Sequence, residues 1–545
     1  MPPRHPAALA LALALVAGCG SSSLPGPGAS GAGAAAPPTF ELADRCMACH
    51  NGLVTPTGED ISFGTAWRAS MMANSARDPY WLAAVRREVL DHPTARAAIE
   101  HECSKCHMPM AHVQTRLAGG TQGVFDHVPG VEGLSPAADP LALDGVSCSL
   151  CHQISSERLG TRDSFTGGFV IGAGPAGRAM FGPYEVGRGH ARVMSSATGA
   201  QPTTAPHMQQ AELCATCHSL YTHSLGPDGV VIGELPEQVP YEEWLHSAYR
   251  DTQSCQACHM PVVEVPTAIT SVLGPARSEV SRHDFRGANF FVLGMLNTYR
   301  SELGVAAAPH ELAAAVERTR SFLQTAAARV TLARVARADA QLEAEVVVEN
   351  LAGHKLPTAY PSRRAWLRVT VHDARGALVF ASGELEPSGA IAGNDNDRDA
   401  TRFEPHHAEL RSAEDVQIYE AILGAPDGAV TTGLLTAVTY LKDNRILPRG
   451  FDKRTAPPEV AVHGGALDDA DFGGGEDRVR YVIDVGDAEG PFTIDASLWY
   501  QPIGHRWAMN LRAYDAFEPQ RFVRYYEALA PGSGERLAGD RATTP

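Results

Sequence analysis

The chain has 545 residues, 44% hydrophobic and 7% aromatic, with 45 basic against 62 acidic residues and a formal net charge of -17. That length suits two or three domains of ~100–200 residues each. The acidic balance argues against a nucleic-acid partner, which needs a clustered basic surface to neutralise phosphates, and no apolar run reaches the ~18–20 residues of a membrane-spanning helix.

Arg4 precedes a short apolar run over residues 7–16, of signal-peptide length and too short to cross a bilayer. The run ends Leu15-Val16-Ala17-Gly18-Cys19, which resembles the lipobox of bacterial lipoproteins. The resemblance implies a signal peptide over residues 1–18 and lipidation of Cys19; a chance cysteine after an ordinary export signal is the alternative. Residues 19–38 are rich in Gly, Ser, Pro and Ala and read as a flexible linker. The expectation is an exported chain, lipid-anchored in the cell envelope at the periplasmic face or the surface of the outer membrane. By analogy with lipoprotein sorting, the lack of Asp at Gly20 or Ser21 leans towards the outer membrane.

The other ten cysteines all fall into C-x-x-C-H: Cys46, Cys49 and His50; Cys103, Cys106 and His107; Cys148, Cys151 and His152; Cys214, Cys217 and His218; Cys255, Cys258 and His259. Composition alone gives about 0.01 chance occurrences of this pattern, and five are present. Two thiols three positions apart can each add to one vinyl group of the same haem, and the adjacent histidine then falls beneath the iron as its proximal ligand. A disulfide framework or zinc sites are the alternatives, but neither requires a histidine after every pair. Five covalent c-type haems are therefore expected. Such attachment occurs outside the bacterial cytoplasm, in agreement with the exported N-terminus. Ten propionates would look for cations, with Arg68, Arg77, Arg282 and Arg286 as candidates.

The motifs lie in residues 39–300, read as a mainly α or irregular pentahaem domain, with helices expected over 65–75, 79–92 continuing towards 102, and 242–249. Residues 309–329 open with Pro and continue with strong helix formers, a connecting helix within 301–329. "QLEAEVVVEN", "AWLRVTVHDA", "ALVFASGEL", "RVRYVIDVG" and "FTIDASLWYQ" then alternate and are rich in β-branched residues, which predicts an all-β, sandwich-like domain over 330–510. Residues 511–545 read as a C-terminal tail. The fold class is multidomain.

Each iron has room for a distal ligand, usually His or Met. Met72, His190, His207, His223 and His283 are candidates, each also readable as an ordinary packed or hydrogen-bonded side chain. His101 and His112 are reserves. "AWRASMMANSARDPYW" resembles the W-x-x-S-x-H element of cytochrome c-554-like proteins, where the histidine is a distal ligand; the matching position here is Met72. The element recurs as "EWLHSAY", with Tyr249 at the ligand position and His246 nearby. With "FGPY", "ELCATCHSLYT" and paired "CHMP" stretches, residues 40–300 are similar to the cytochrome c-554 type of multihaem cytochrome. The resemblance implies electron transfer between closely stacked haems, with donor and acceptor proteins of the envelope as partners.

Some relatives on that scaffold are enzymes, so a multihaem oxidoreductase acting on a small nitrogen or sulfur compound at one open haem is the alternative, hinted at only by Tyr249, His246 and Arg250. The C-x-x-C-K site common in multihaem nitrite reductases is absent. No catalytic residue is singled out, and a filament-forming cytochrome is a third reading. "NLAGHKLPTAYPSRRAWLRVTV" resembles a GH-x-x-PT element of β-domains fused to multihaem cytochromes; its His354 reads as a turn histidine or as one reaching an iron. Asn394, Asp395, Asn396, Asp397 and Asp399 cluster oxygen atoms that suit calcium or a solvated acidic loop.

Overall fold

The helix Pro79–Asp91 starts where it does because the Asp78 carboxylate accepts from the amides of Tyr80 (2.9 Å) and Trp81 (3.2 Å), with Pro79 in the first turn. Pro93 prevents the continuation expected from the sequence: the helix stops, and a new one, Arg96–His107, delivers the second C-x-x-C-H motif. This is a computed structural model; it describes residues 39–128, 139–174 and 177–544. Cys19 and the N-terminal leader and linker lie outside the described residues.

The helices expected over 65–75 and 242–249 are shorter, Phe63–Arg68 and Pro240–Leu245. The haem-motif half also contains sheet: an antiparallel pair, Leu220–Leu225 with Val231–Gln238, and three short strands ending with Ala200–Thr204. The connecting helix forms as Pro309–Ala326, its Glu311 side chain accepting from the Ala308 amide at 2.9 Å.

Beyond it lie two larger sheets. One has the order Leu378–Ser382, Arg364–His372, Phe492–Gln501, Glu535–Thr544, with Ile418–Tyr419 also paired to Arg364–His372. The other has the order Glu409–Leu410, Glu476–Asp484, Gln341–Asn350, Ala328–Ala338. Alternation along Gln341–Asn350 sends Leu342, Ala344, Val346 and Val348 into a core they share with Val369, Val371, Ile494 and Ala496 of the first sheet. That core also takes Phe522, Tyr525 and Tyr526 from the helix Phe517–Leu529, so this half is not built of strands alone.

Two expectations need correction. Residues 511–545 are no tail: they form that helix and a strand, Glu535–Thr544, paired along Phe492–Gln501 from Phe492↔Thr544 to Tyr500↔Glu535. "ERLAGDRATT" lacks the β-branched alternation of a strand, and its state is set by the partner edge it covers. Nor is there a clean break near residue 300. Thr39–Pro545 form one compact unit, because Phe517–Leu529 docks on Pro79–Asp91 through the Arg86–Glu518 ion pair (2.8 Å) and the Tyr80–Phe522 ring contact (5.1 Å).

Candidate functional site

All five motifs open onto one continuous cavity of about 1720 Å³, larger than the ~300–1,000 Å³ of a pocket for one small ligand. Each is presented by a short helix: Ala43–His50, Arg96–His107, Cys148–Cys151, Ala211–His218 and Cys255–His259. The third is held against the first half of the chain by Trp67, whose Nε1 donates to the Val146 carbonyl at 2.9 Å, and by the Val146 amide donating to the Met72 carbonyl at 3.0 Å. Gly145 turns there with φ +61°, and a Cβ would meet that Met72 carbonyl at 2.7 Å, so only glycine fits.

Four of the five motif histidines share one orientation. Their Nδ1 atoms donate to backbone carbonyls: His50 to Ile269 (2.6 Å), His107 to Ser75 (3.1 Å), His152 to Phe181 (2.6 Å) and His259 to Arg286 (2.5 Å). A carbonyl only accepts, so the proton sits on Nδ1 and the Nε2 lone pair is left for a metal. Burial pulls His107 and His218 down to about 4 and lowers His152 and His259. These imidazoles are neutral at pH 7, the ligating form. None of the ten motif cysteines forms a disulfide. Cys46 partners Cys148, Cys106 partners Cys217, and Cys214 partners Cys255, so the first motif adjoins the third while the fourth adjoins the second and the fifth.

Two further imidazoles face motif histidines. His283 lies 6.3 Å from His152, ring centroid to centroid, with 11° between planes. His354 lies 6.2 Å from His259, with 16° between planes. A metal held by two imidazole nitrogens at about 2.0–2.1 Å from each, the distance known for zinc, sets the ring centroids roughly 6 Å apart. Both added rings spend Nδ1 on a carbonyl, His283 on Ser281 (3.0 Å) and His354 on Lys355 (2.9 Å). Burial pulls His283 to about 3 and lowers His354. The donor set therefore fits iron porphyrin: paired thiols, an anchored neutral imidazole, an apolar cavity and, at two motifs, a facing imidazole.

The other distal candidates are placed differently. Met72 packs against the buried cluster that includes Met110, Val146 and Leu150, and lines the cavity. His190, on the helix Arg188–Thr198, also lines the cavity, with Nε2 at 3.1 Å from the Leu273 carbonyl. His223 is exposed on its strand opposite Glu234. His207 is buried outside the cavity lining, its Nε2 committed to the Ile154 carbonyl at 2.9 Å. The rings of the reserves His101 and His112 meet at a tilt (4.4 Å, 41°), with His112 Nδ1 at 2.9 Å from Ser104 Oγ.

Tyr249, at the ligand position of the second W-x-x-S element, donates its hydroxyl to the Leu351 carbonyl (3.2 Å) and lies against Gly353. Its ring thus supports the turn that carries His354. His246 is exposed, with Nδ1 on the Glu242 carbonyl (2.8 Å).

Part of the cavity lining is polar, and its Arg363 acts on His218. Tyr80 and Tyr360 meet edge to face at 5.7 Å, Arg363 donates to the Thr358 carbonyl (3.0 Å), and burial raises Asp78 to about 6 and Glu237 to about 7. Arg363 makes no ion pair among the described residues and offers the cavity a cation. The arginines expected to face propionates have protein partners instead: Arg68 pairs with Glu311, Arg282 with Glu59 and Arg286 with Asp284, and Arg77 donates to the Leu143 carbonyl.

The acidic loop does not gather its oxygens around an ion. Asp397 gives both carboxylate oxygens to Arg364 (2.8 and 2.9 Å), Asn394 caps the Asn396 amide, Asp395 pairs with Arg402 and Asp399 accepts from Thr401. The calcium reading is corrected to a salt-bridged turn. His406, Asp469 and Asp477 form another potential metal group. There, amide groups of Gln417 and Asn444, both at 3.0 Å, cover the His406 Nδ1 lone pair.

No protein-family model matches the sequence, and no curated protein does. Among solved structures, the chain is similar in fold to a penta-heme cytochrome c552 from Thermochromatium tepidum, with a TM-score of 0.53 and 15% identity over 93% of this chain and 100% of that one. At that identity the likeness speaks for the fold.

Proposed function

We propose that the protein is a pentahaem c-type cytochrome that relays electrons in the bacterial cell envelope, tethered by lipid at Cys19, with envelope redox proteins as donor and acceptor. The observation that carries this reading is the single cavity lined by all five C-x-x-C-H motifs, with four of their histidines fixed through Nδ1. When bound, the haems would supply one-electron ferric/ferrous chemistry, and the adjoining motifs (first with third, fourth with second and fifth) favour exchange between neighbouring sites. The chain's own part would be to fix the tautomer of His50, His107, His152 and His259 and to supply the groups that hold each haem, with His152 and His283 the pair that would hold the third. The test is a haem count on matured protein by the pyridine haemochrome method: five per chain supports the reading, and fewer than five overturns it. Cys19→Ala should move the protein to the soluble fraction; retention in the membrane fraction would count against the anchor.

The polar chamber favours a second reading, an oxidoreductase acting on a small nitrogen or sulfur compound. Tyr80, Tyr360, Asp78, Glu237 and Arg363 line the cavity with groups that would bind an anion and hold a proton, and Arg363 acts on His218. Low-temperature electron paramagnetic resonance separates the two: a high-spin centre that shifts with nitrite or hydroxylamine marks an enzyme, and five indifferent low-spin centres mark a relay.

A further inference from the structure

We infer that His354, from the β-rich half, is the second axial ligand at the fifth motif, so that the iron bound by His259 is closed by a residue nearly a hundred positions away in sequence. The inference rests on the pentahaem reading and adds a ligand to it. Its geometry repeats that of His152 and His283: centroids at 6.2 and 6.3 Å, planes within 16° and 11°, and all four rings held by Nδ1 to a carbonyl. No hydrogen bond occupies the His354 Nε2 among the described residues, and both His259 and His354 line the cavity. An ordinary turn histidine would need neither the parallel approach nor the open Nε2.

The turn that carries His354 is also built to hold a ligand still. Lys355, fully buried, donates its Nζ to Asp443 (2.7 Å) and the Ala461 carbonyl (3.1 Å). Glu243, from the helix Pro240–Leu245, accepts from the Lys355 amide (3.1 Å) and the Thr358 hydroxyl (2.5 Å) and pairs with Arg445 (2.9 Å). Tyr249 adds its bond to Leu351. Glu243 and Tyr249 come from the segment just before the fifth motif, so the same stretch positions both axial histidines. These are positioning residues for His354; the haem-motif half anchors the turn that completes its own last site.

The test uses the matured holoprotein. In His354→Ala, one haem in five should turn from low-spin to high-spin by electron paramagnetic resonance, bind carbon monoxide when reduced, and return to low-spin with added imidazole. His354→Met keeps a ligand in place and should stay low-spin while gaining a thioether–iron charge-transfer band and a raised potential in one haem. His207→Ala, outside the cavity, should change none of these. Unaltered spin state and ligand binding in His354→Ala, with neither a new charge-transfer band nor a changed potential in His354→Met, at five haems per chain, would overturn the assignment. A wild-type haem count below five would instead overturn the pentahaem reading beneath it.

Discussion

The two halves of this molecule are stabilised in different ways. From residue 328 onward, the two larger sheets and the helix Phe517–Leu529 enclose one dense core in which Tyr419, Tyr481, Phe492 and Tyr500 are at most 1% exposed. Before residue 300, Tyr80, Leu235 and the helix Phe290–Thr298 reach into that same core, and the other buried residues fall into several small clusters set around a cavity of about 1720 Å³. A protein interior is normally packed at crystal-like density, so the first half is shaped for apolar bodies that its own side chains do not supply. On the pentahaem reading, covalent cofactor stands in for core, and that half then depends on its attachment.

The largest expected effect follows from that dependence. Produced with all ten motif cysteines changed to Ala, the protein should lose protease protection across residues 39–300 and keep it across 328–544. Limited proteolysis with mass mapping reads this directly, and equal resistance in both halves would remove the contrast.

Next in size is the buried ion pair of the β-rich half. Arg364 and Asp397 have side chains only 4% and 1% exposed, and Arg364 also donates to Gln501 and the Gly389 carbonyl. Asp397→Ala leaves a buried unpaired guanidinium and should cost about 3–5 kcal/mol. Denaturant unfolding should show that loss with haem absorption unchanged in native buffer; a loss below 1 kcal/mol would mean water reaches the site.

The smallest effect is a pH dependence in the same half. Burial raises the Asp477 carboxyl to about 6, above its ordinary ~3.9, so the folded state keeps a proton that the unfolded chain releases. The stability this group contributes is present below about pH 4 and is lost as pH rises through about 6. Asp477→Asn should flatten that loss, changing the gap between variant and parent by on the order of 1–3 kcal/mol from pH 4 to pH 7. Denaturation curves at the two pH values check it, and a pH-independent gap would show that Asp477 is ionised in the fold throughout.

The sequence by itself determined the five C-x-x-C-H motifs and, on the pentahaem reading, their chemistry, because thioether formation and proximal ligation are local: two thiols and a histidine within five residues. It also determined the connecting helix and the strands Gln341–Asn350 and Phe492–Gln501, where periodicity and propensity agree with burial. Tertiary structure decided what depends on remote partners. Glu535–Thr544 is a strand because an edge of Phe492–Gln501 receives it, and the acidic loop is a salt bridge because Arg364 reaches it. It also decided the imidazoles opposite the motifs. His207 sits seven residues before its motif and faces away, while His354 is far along the chain and faces in. A distal position is filled by whichever segment folds across the cavity, and sequence distance carries no information about that.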